Sequence, residues 1–114
     1  MSQATKLSAK ALEYYFQQDD VVKPSGKTLV VQGTPGKWLK MLETESPDVI
    51  SYLAHENAQW IQRGITPVQS TEETYDLIIH FATKFATENL AQIGKLAQQL
   101  NPGGRWISVV PNRM

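Results

Sequence analysis

The chain has 114 residues, 41 % of them hydrophobic and 19 % charged, which suits one soluble globular domain with a single core. Eleven Lys and Arg cancel eleven Asp and Glu, so no global field draws the chain to nucleic acid or an acidic membrane, although a local basic patch is still allowed. The absence of cysteine excludes disulfides and thiolate metal sites and is compatible with a cytoplasmic location, and no apolar run approaches the roughly 20 residues of a membrane span.

In chain order, residues 5 to 18 read as a helix whose apolar side carries Leu7, Ala11, Tyr14 and Tyr15. Asp19 and Asp20 would sit badly at the negative end of a helix dipole and stop it. After the turn-rich connector Lys23 to Lys27, Thr28-Leu29-Val30-Val31 predicts a strand over 28–32. Gln32-Gly33-Thr34-Pro35-Gly36 turns into a short helix with Trp38, Leu39, Met41 and Leu42. A second strand is expected over 48–53, and a helix over 54–63 with Ala54, Ala58 and Ile61 on one side. Gly64 suits the left-handed cap of that helix. Residues 65–69 predict a weak strand at a sheet edge, because Pro67 cannot donate a ladder hydrogen bond.

The last third repeats the pattern more strongly. Leu77, Ile78 and Ile79 form the continuous apolar run of a strand covered on both faces, over 75–81. Ala86, Leu90, Ile93, Ala97 and Leu100 then mark one helix face, with Gln92, Lys95, Gln98 and Gln99 largely outside it. Asn101-Pro102-Gly103-Gly104 ends the helix and reverses the chain, and 104–110 is rich in β-branched and aromatic residues. Strand, helix and strand of these lengths imply parallel pairing through a crossover.

Most chemical motifs fail on spacing. Gly33 and Gly36 are separated by two residues, and Trp38 follows Lys37, whereas a phosphate-binding P-loop needs four residues and then Ser or Thr. His55-Glu56 opens a zinc-protease pattern that Gln59 breaks, so no metal site is expected. His80 lacks an evident nucleophile or acid partner and reads as a packed strand residue. Trp38, Trp60 and Trp106 sit in apolar patterns and read as core. Lys37, Lys84 and Arg113 each follow a predicted strand, which would bring them to one sheet edge with Asn112.

The segment YDLIIHF…LAQQLNPGGRWISVV resembles the fourth strand, following helix and fifth strand of class I S-adenosylmethionine-dependent methyltransferases. That resemblance implies an α/β, Rossmann-like sheet of five mostly parallel strands in the order 3-2-1-4-5, with helices on both faces. It covers residues 28–114, behind an N-terminal helix at 5–18, within one domain truncated before the family's antiparallel strands. The cofactor motifs are degraded: Val30 and Val31 stand where the family places an acid, and only Gly33 and Gly36 remain of its glycine run. At the end of the second strand Tyr52-Leu53-Ala54 replaces the ribose-binding acid, with Glu56 at least a turn later. His80-Phe81-Ala82-Thr83-Lys84 replaces the N/D-P-P-Y/F signature after strand four.

A persistent scaffold with lost chemistry is similar to the N-terminal domain of bacterial ribosomal RNA guanine-N2 methyltransferases. The resemblance implies a domain without catalytic residues or cofactor of its own. Its partners would be a catalytic domain in cis, which holds S-adenosylmethionine, and ribosomal RNA. RNA would be met by Lys37, Lys84, Asn112 and Arg113. Two alternatives stay open: a small active enzyme binding S-adenosylmethionine or another nucleotide through Gly33 to Gly36, and a protein-interaction domain without RNA contact.

Overall fold

The computed structural model describes residues 3–8, 26–36, 39, 47–51, 53–81 and 93–110. Its strands are β1 (Gln3–Ser8), β2 (Thr28–Val31), β3 (Asp48–Ile50), β4 (Tyr75–Phe81) and β5 (Leu100–Val110), and its helix α1 is Ala54–Gln62. The sheet runs β1-β5-β4-β2-β3, and every pairing in it is parallel. The chain is therefore an α/β protein built on a parallel sheet, as its apolar runs imply.

Both faces of the sheet are covered. Val30, Val49, Leu77, Ile79, Ile107 and Val109 meet Trp60 of α1 on one face. Leu29, Val31, Ile50, Ile78 and Trp106 meet Leu96, from the helical residues 93–97, on the other. This is why β2 and the middle of β4 have no polar alternation: every residue of Thr28–Val31 is buried. Each fully buried Leu, Ile or Val contributes about 1.5–3 kcal/mol over its exposed state, so these two layers are the main source of stability.

Tyr75 and Leu77 lie two apart yet belong to opposite faces, which a regular strand forbids. The register shift between them explains it. Tyr75 pairs with Leu100 and Leu77 with Arg105, so Asn101 to Gly104 bulge out opposite Asp76 alone. Gly103 takes a left-handed φ of 79°, and a Cβ on Gly104 would lie 2.8 Å from the Asn101 carbonyl oxygen. The Pro-Gly-Gly turn thus lies inside β5, which begins at Leu100 and not at 104.

Three other expectations are corrected. Residues 5 to 8 belong to β1, a strand in parallel register with β5 from Gln3↔Arg105 to Ser8↔Val110, and do not open a helix. Residues 9 to 18 of that expected helix lie outside the described residues. Residues 65–69 form no full strand: a single parallel bridge joins Val68 to Ile50. Val68 N donates to Val49 O at 2.8 Å, but Pro67 has no N–H to extend the ladder. β3 is also shorter than 48–53, ending at Ile50.

Four of the expected strands are thus present as β2, β3, β4 and β5, the fifth is reduced to the Val68 bridge, and β1 adds a strand beyond β5. α1 ends as its glycine predicts. Gly64 has φ 79°, its N–H reaches Ile61 O, and the N–H of Ile65 reaches Trp60 O. These are the two bonds of a Schellman cap, sealed by Trp60 and Ile65 in one apolar cluster. The buried face of α1, however, is Trp60, while Ala54, Ala58 and Ile61 are exposed. In the helical residues 93–97 and the turn that follows, Leu96 and Gln99 are buried and Ile93 and Ala97 are exposed.

Candidate functional site

In a parallel sheet all strands end at one edge, and β2 has β3 on one side and β4 on the other. The chain leaves β2 through two successive left-handed residues, Gln32 at φ 64° and Gly33 at φ 76°. For glutamine this conformation is strained by roughly 1–2 kcal/mol. Gln32 is held there by burial and by its N–H, which donates to Ile50 O at 2.7 Å. Gly33 permits a close approach: the Phe81 ring lies against it, and a Cβ would sit 2.5 Å from Phe81 Cγ. Trp60 Nε1 donates to Gly33 O at 3.1 Å, pinning the loop to α1. Gly36 O accepts from Leu39 N at 3.1 Å, where the expected short helix begins.

Further polar groups stand around this edge. Ser51 is buried and its Oγ donates to Glu56 Oε1 at 3.3 Å, so a carboxylate in the first turn of α1 comes back to the end of β3. That return is invisible in sequence spacing, because it depends on where the helix starts. His80 is fully buried opposite Ser108, with its ring 5.8 Å from Trp106. Trp106 Nε1 donates to Ser108 Oγ at 2.8 Å. His80, Trp60 and Trp106 are thus core residues, as their patterns suggest. Of the expected site residues, Gly33 and Gly36 are brought into this loop. Lys37, Lys84, Asn112 and Arg113 lie outside the described residues, as does Trp38.

The opposite, amino edge holds a network that sequence reasoning missed. Tyr75 Oη donates to Asp48 Oδ2 at 2.7 Å, so the 2.9 Å contact with Thr71 is donated by Thr71 Oγ1. Glu73 N donates to that same Thr71 oxygen at 3.2 Å, completing a polarised chain from loop to β3. Burial pushes the Tyr75 phenol above its ordinary value; the Thr71 hydrogen bond opposes the rise, and Asp48 adds to it. Gln99 Nε2 donates to Thr71 O at 2.6 Å and Glu73 O at 2.9 Å. The Lys27 ammonium pairs with the Glu73 carboxylate and lies 5.7 Å from the centre of the Tyr75 ring.

Asp76 ties β4 to β5 and to the residue before β2 at the same edge. Its carboxylate accepts from Asn101 Nδ2 at 3.0 Å and from Lys27 N at 3.0 Å, and these bonds hold its carboxyl below the usual range. A shallow cavity of about 220 Å³ lies nearby, beside Asp48, Ile65 and Val68. The only advance signal was the polar Tyr75-Asp76 pair heading an apolar strand.

Among the described residues no group of three or more His, Cys, Asp or Glu could hold a metal ion, and no helix is long and apolar enough to cross a membrane. Comparison of the chain with protein-family models, with curated proteins and with solved structures gives no match.

Proposed function

We propose that the chain is a degenerate, Rossmann-like class I methyltransferase domain that has no catalysis of its own. It would support the catalytic domain of a ribosomal RNA guanine-N2 methyltransferase and help position the RNA. The observation that carries this reading is the switch point at β2. Taken outward from there, the Val68 bridge, β3, β2, β4 and β5 lie in the order that the resemblance implies, with α1 and residues 93–97 on opposite faces. Ligand crevices of such sheets open at the strand carboxyl ends beside the switch. Here the loop after β2 is packed under Phe81, which argues for a scaffold and against a cofactor cradle. S-adenosylmethionine would then belong to the catalytic domain in cis, in the cytoplasm.

RNA would meet the carboxyl edge through Lys37, Lys84 and Arg113, which follow β2, β4 and β5 in the chain, with Asn112 as a neutral donor. Three cations on a chain of zero net charge give weak, salt-sensitive binding by counterion release. Useful affinity comes when the linked catalytic domain adds its own contacts. The test replaces all three with Ala in the protein that carries the catalytic domain. RNA binding should weaken and its log–log salt slope should flatten by about 2, with cofactor affinity unchanged. Unaltered binding and methylation would leave a protein-interaction domain as the better reading.

Glu56 favours a second reading. The family anchors ribose hydroxyls with an acid at the end of strand two, and the Ser51–Glu56 bond brings a carboxylate to that strand end. Calorimetric titration separates the two readings. The scaffold reading expects no saturable heat with millimolar S-adenosylmethionine and no rise in Tm, which a ligand selective for the folded state must produce. Micromolar binding would promote the small active enzyme.

A further inference from the structure

Gln99 is a polar side chain in a core position, only 9 % exposed. Its orientation is fixed by chemistry: Nε2 faces the Thr71 and Glu73 carbonyl oxygens, and a flipped amide would set oxygen against oxygen. Its own backbone oxygen accepts from Tyr75 N at 2.7 Å, so residue 99 joins the turn after 93–97 to the 71–73 loop twice and to the start of β4 once. The remaining polar atom, Oε1, is buried and accepts no hydrogen bond from the described residues. Such an atom costs about 1–3 kcal/mol unless something donates to it.

The same side chain lines a cavity of about 30 Å³ on the Leu96 face of the sheet, together with Val31, Ile50, Ser70, Thr71 and Lys95. We propose that this cavity is a binding site for one ordered water molecule, which donates to Gln99 Oε1. The volume is enough to admit a water molecule. Gln69, Ser70 and Thr71 also line the cavity, and these are residue types that could offer the water its further polar partners. An ammonium or metal cation is disfavoured because Lys95 lines the same cavity. The water completes the clasp that holds the 71–73 loop, and through Thr71 the Tyr75–Asp48 bond, against the turn after 93–97.

A crystal structure of this chain that resolves ordered solvent tests the site directly. Density about 2.5–3.0 Å from Gln99 Oε1 is expected. In solution, cross-relaxation between water and the Gln99 side-chain amide protons should carry the sign of a slowly exchanging molecule. Solvent density absent from the cavity, together with fast-exchange cross-relaxation, would overturn the proposal. Val31→Ile adds a second arm, since it puts one further carbon beside this cavity. If a water is displaced, the folding equilibrium constant should fall on the order of tenfold, as Oε1 loses its donor. A dry cavity would instead be filled, and stability unchanged or raised would count against the water. Should that variant not fold, the two measurements on the native chain still decide.

Discussion

The two edges of the sheet are built differently. At the amino edge, side chains bind elements together: Asp76 ties β4 to the residue before β2 and to the β5 bulge, and Tyr75 ties β4 to β3. Gln99 holds the 71–73 loop to the turn after 93–97. At the carboxyl edge two left-handed residues and an aromatic ring seated on a glycine shape the loop, with the Trp60–Gly33, Ser51–Glu56 and Trp106–Ser108 hydrogen bonds beside them. Hydrogen-bonded side chains lock the edge where strands begin. The edge where an α/β sheet carries its ligands adds close packing on Gly33 and strain at Gln32 to its hydrogen bonds. The Phe81 side chain occupies the approach to this loop.

Three variants test that contrast. Gly33→Ala should have the largest effect, about 2–4 kcal/mol of destabilisation, because the new Cβ meets the Phe81 ring at a left-handed φ. Urea unfolding measures it, as a lower midpoint at unchanged m. Adding Phe81→Leu should recover part of the loss by relieving the overlap; no recovery would mean that the ring does not close the loop.

Tyr75→Phe comes next. It leaves Asp48 and Thr71 without the phenol between them and should cost about 1–2 kcal/mol. It also changes the alkaline limb. The folded phenol holds its proton above the ordinary value near 10, so above that pH the unfolded chain binds fewer protons than the folded one. Stability from this residue is full below about pH 10 and falls as pH rises further. The substitution should remove that fall. A parallel decline in both proteins would assign it elsewhere.

Asp76→Ala should be smallest, within about 1 kcal/mol, because the carboxylate is exposed and screened. Its carboxyl is held low by Asn101 and Lys27, so between the folded and ordinary values the unfolded chain binds more protons. Its contribution is present above the ordinary carboxylate range near pH 4 and is lost as pH falls below it. Acid titration of unfolding should therefore show a shallower decline in the variant, and an identical acid limb would mean that the Asp76 bonds to Lys27 and Asn101 add nothing to stability.

The strands at the centre of the sheet were legible because their signal is local. Leu29 to Val31 and Leu77 to Ile79 are apolar without interruption, the pattern of strands covered on both faces. Gly64 was legible for the same kind of reason, since a left-handed cap is a property of one residue. The N-terminal segment misled because Leu7, Ala11 and Tyr14 keep helical spacing, while pairing with β5 decides the fate of residues 3–8. Local propensity yields there to a partner about a hundred residues away.

Helix faces were the second failure. Ala54, Ala58 and Ile61 are apolar and evenly spaced, yet Trp60 offers more area to bury and its indole N–H finds Gly33 O, so the helix turns that way. Gln99 falls on the polar side by residue type, but three hydrogen bonds make its burial tolerable. Residue order was enough for an α/β chain with a parallel β-α-β core, a glycine-bearing loop after its first core strand and no metal-ligand spacing. Only folding in three dimensions sets β1 beside β5, lays Phe81 on Gly33 and returns Glu56 to Ser51. It also assembles Tyr75, Asp48, Thr71 and Gln99 into one network. Each of these joins residues distant in the chain or set by a helix start, and long-range pairing and packing leave no periodic trace in composition or spacing.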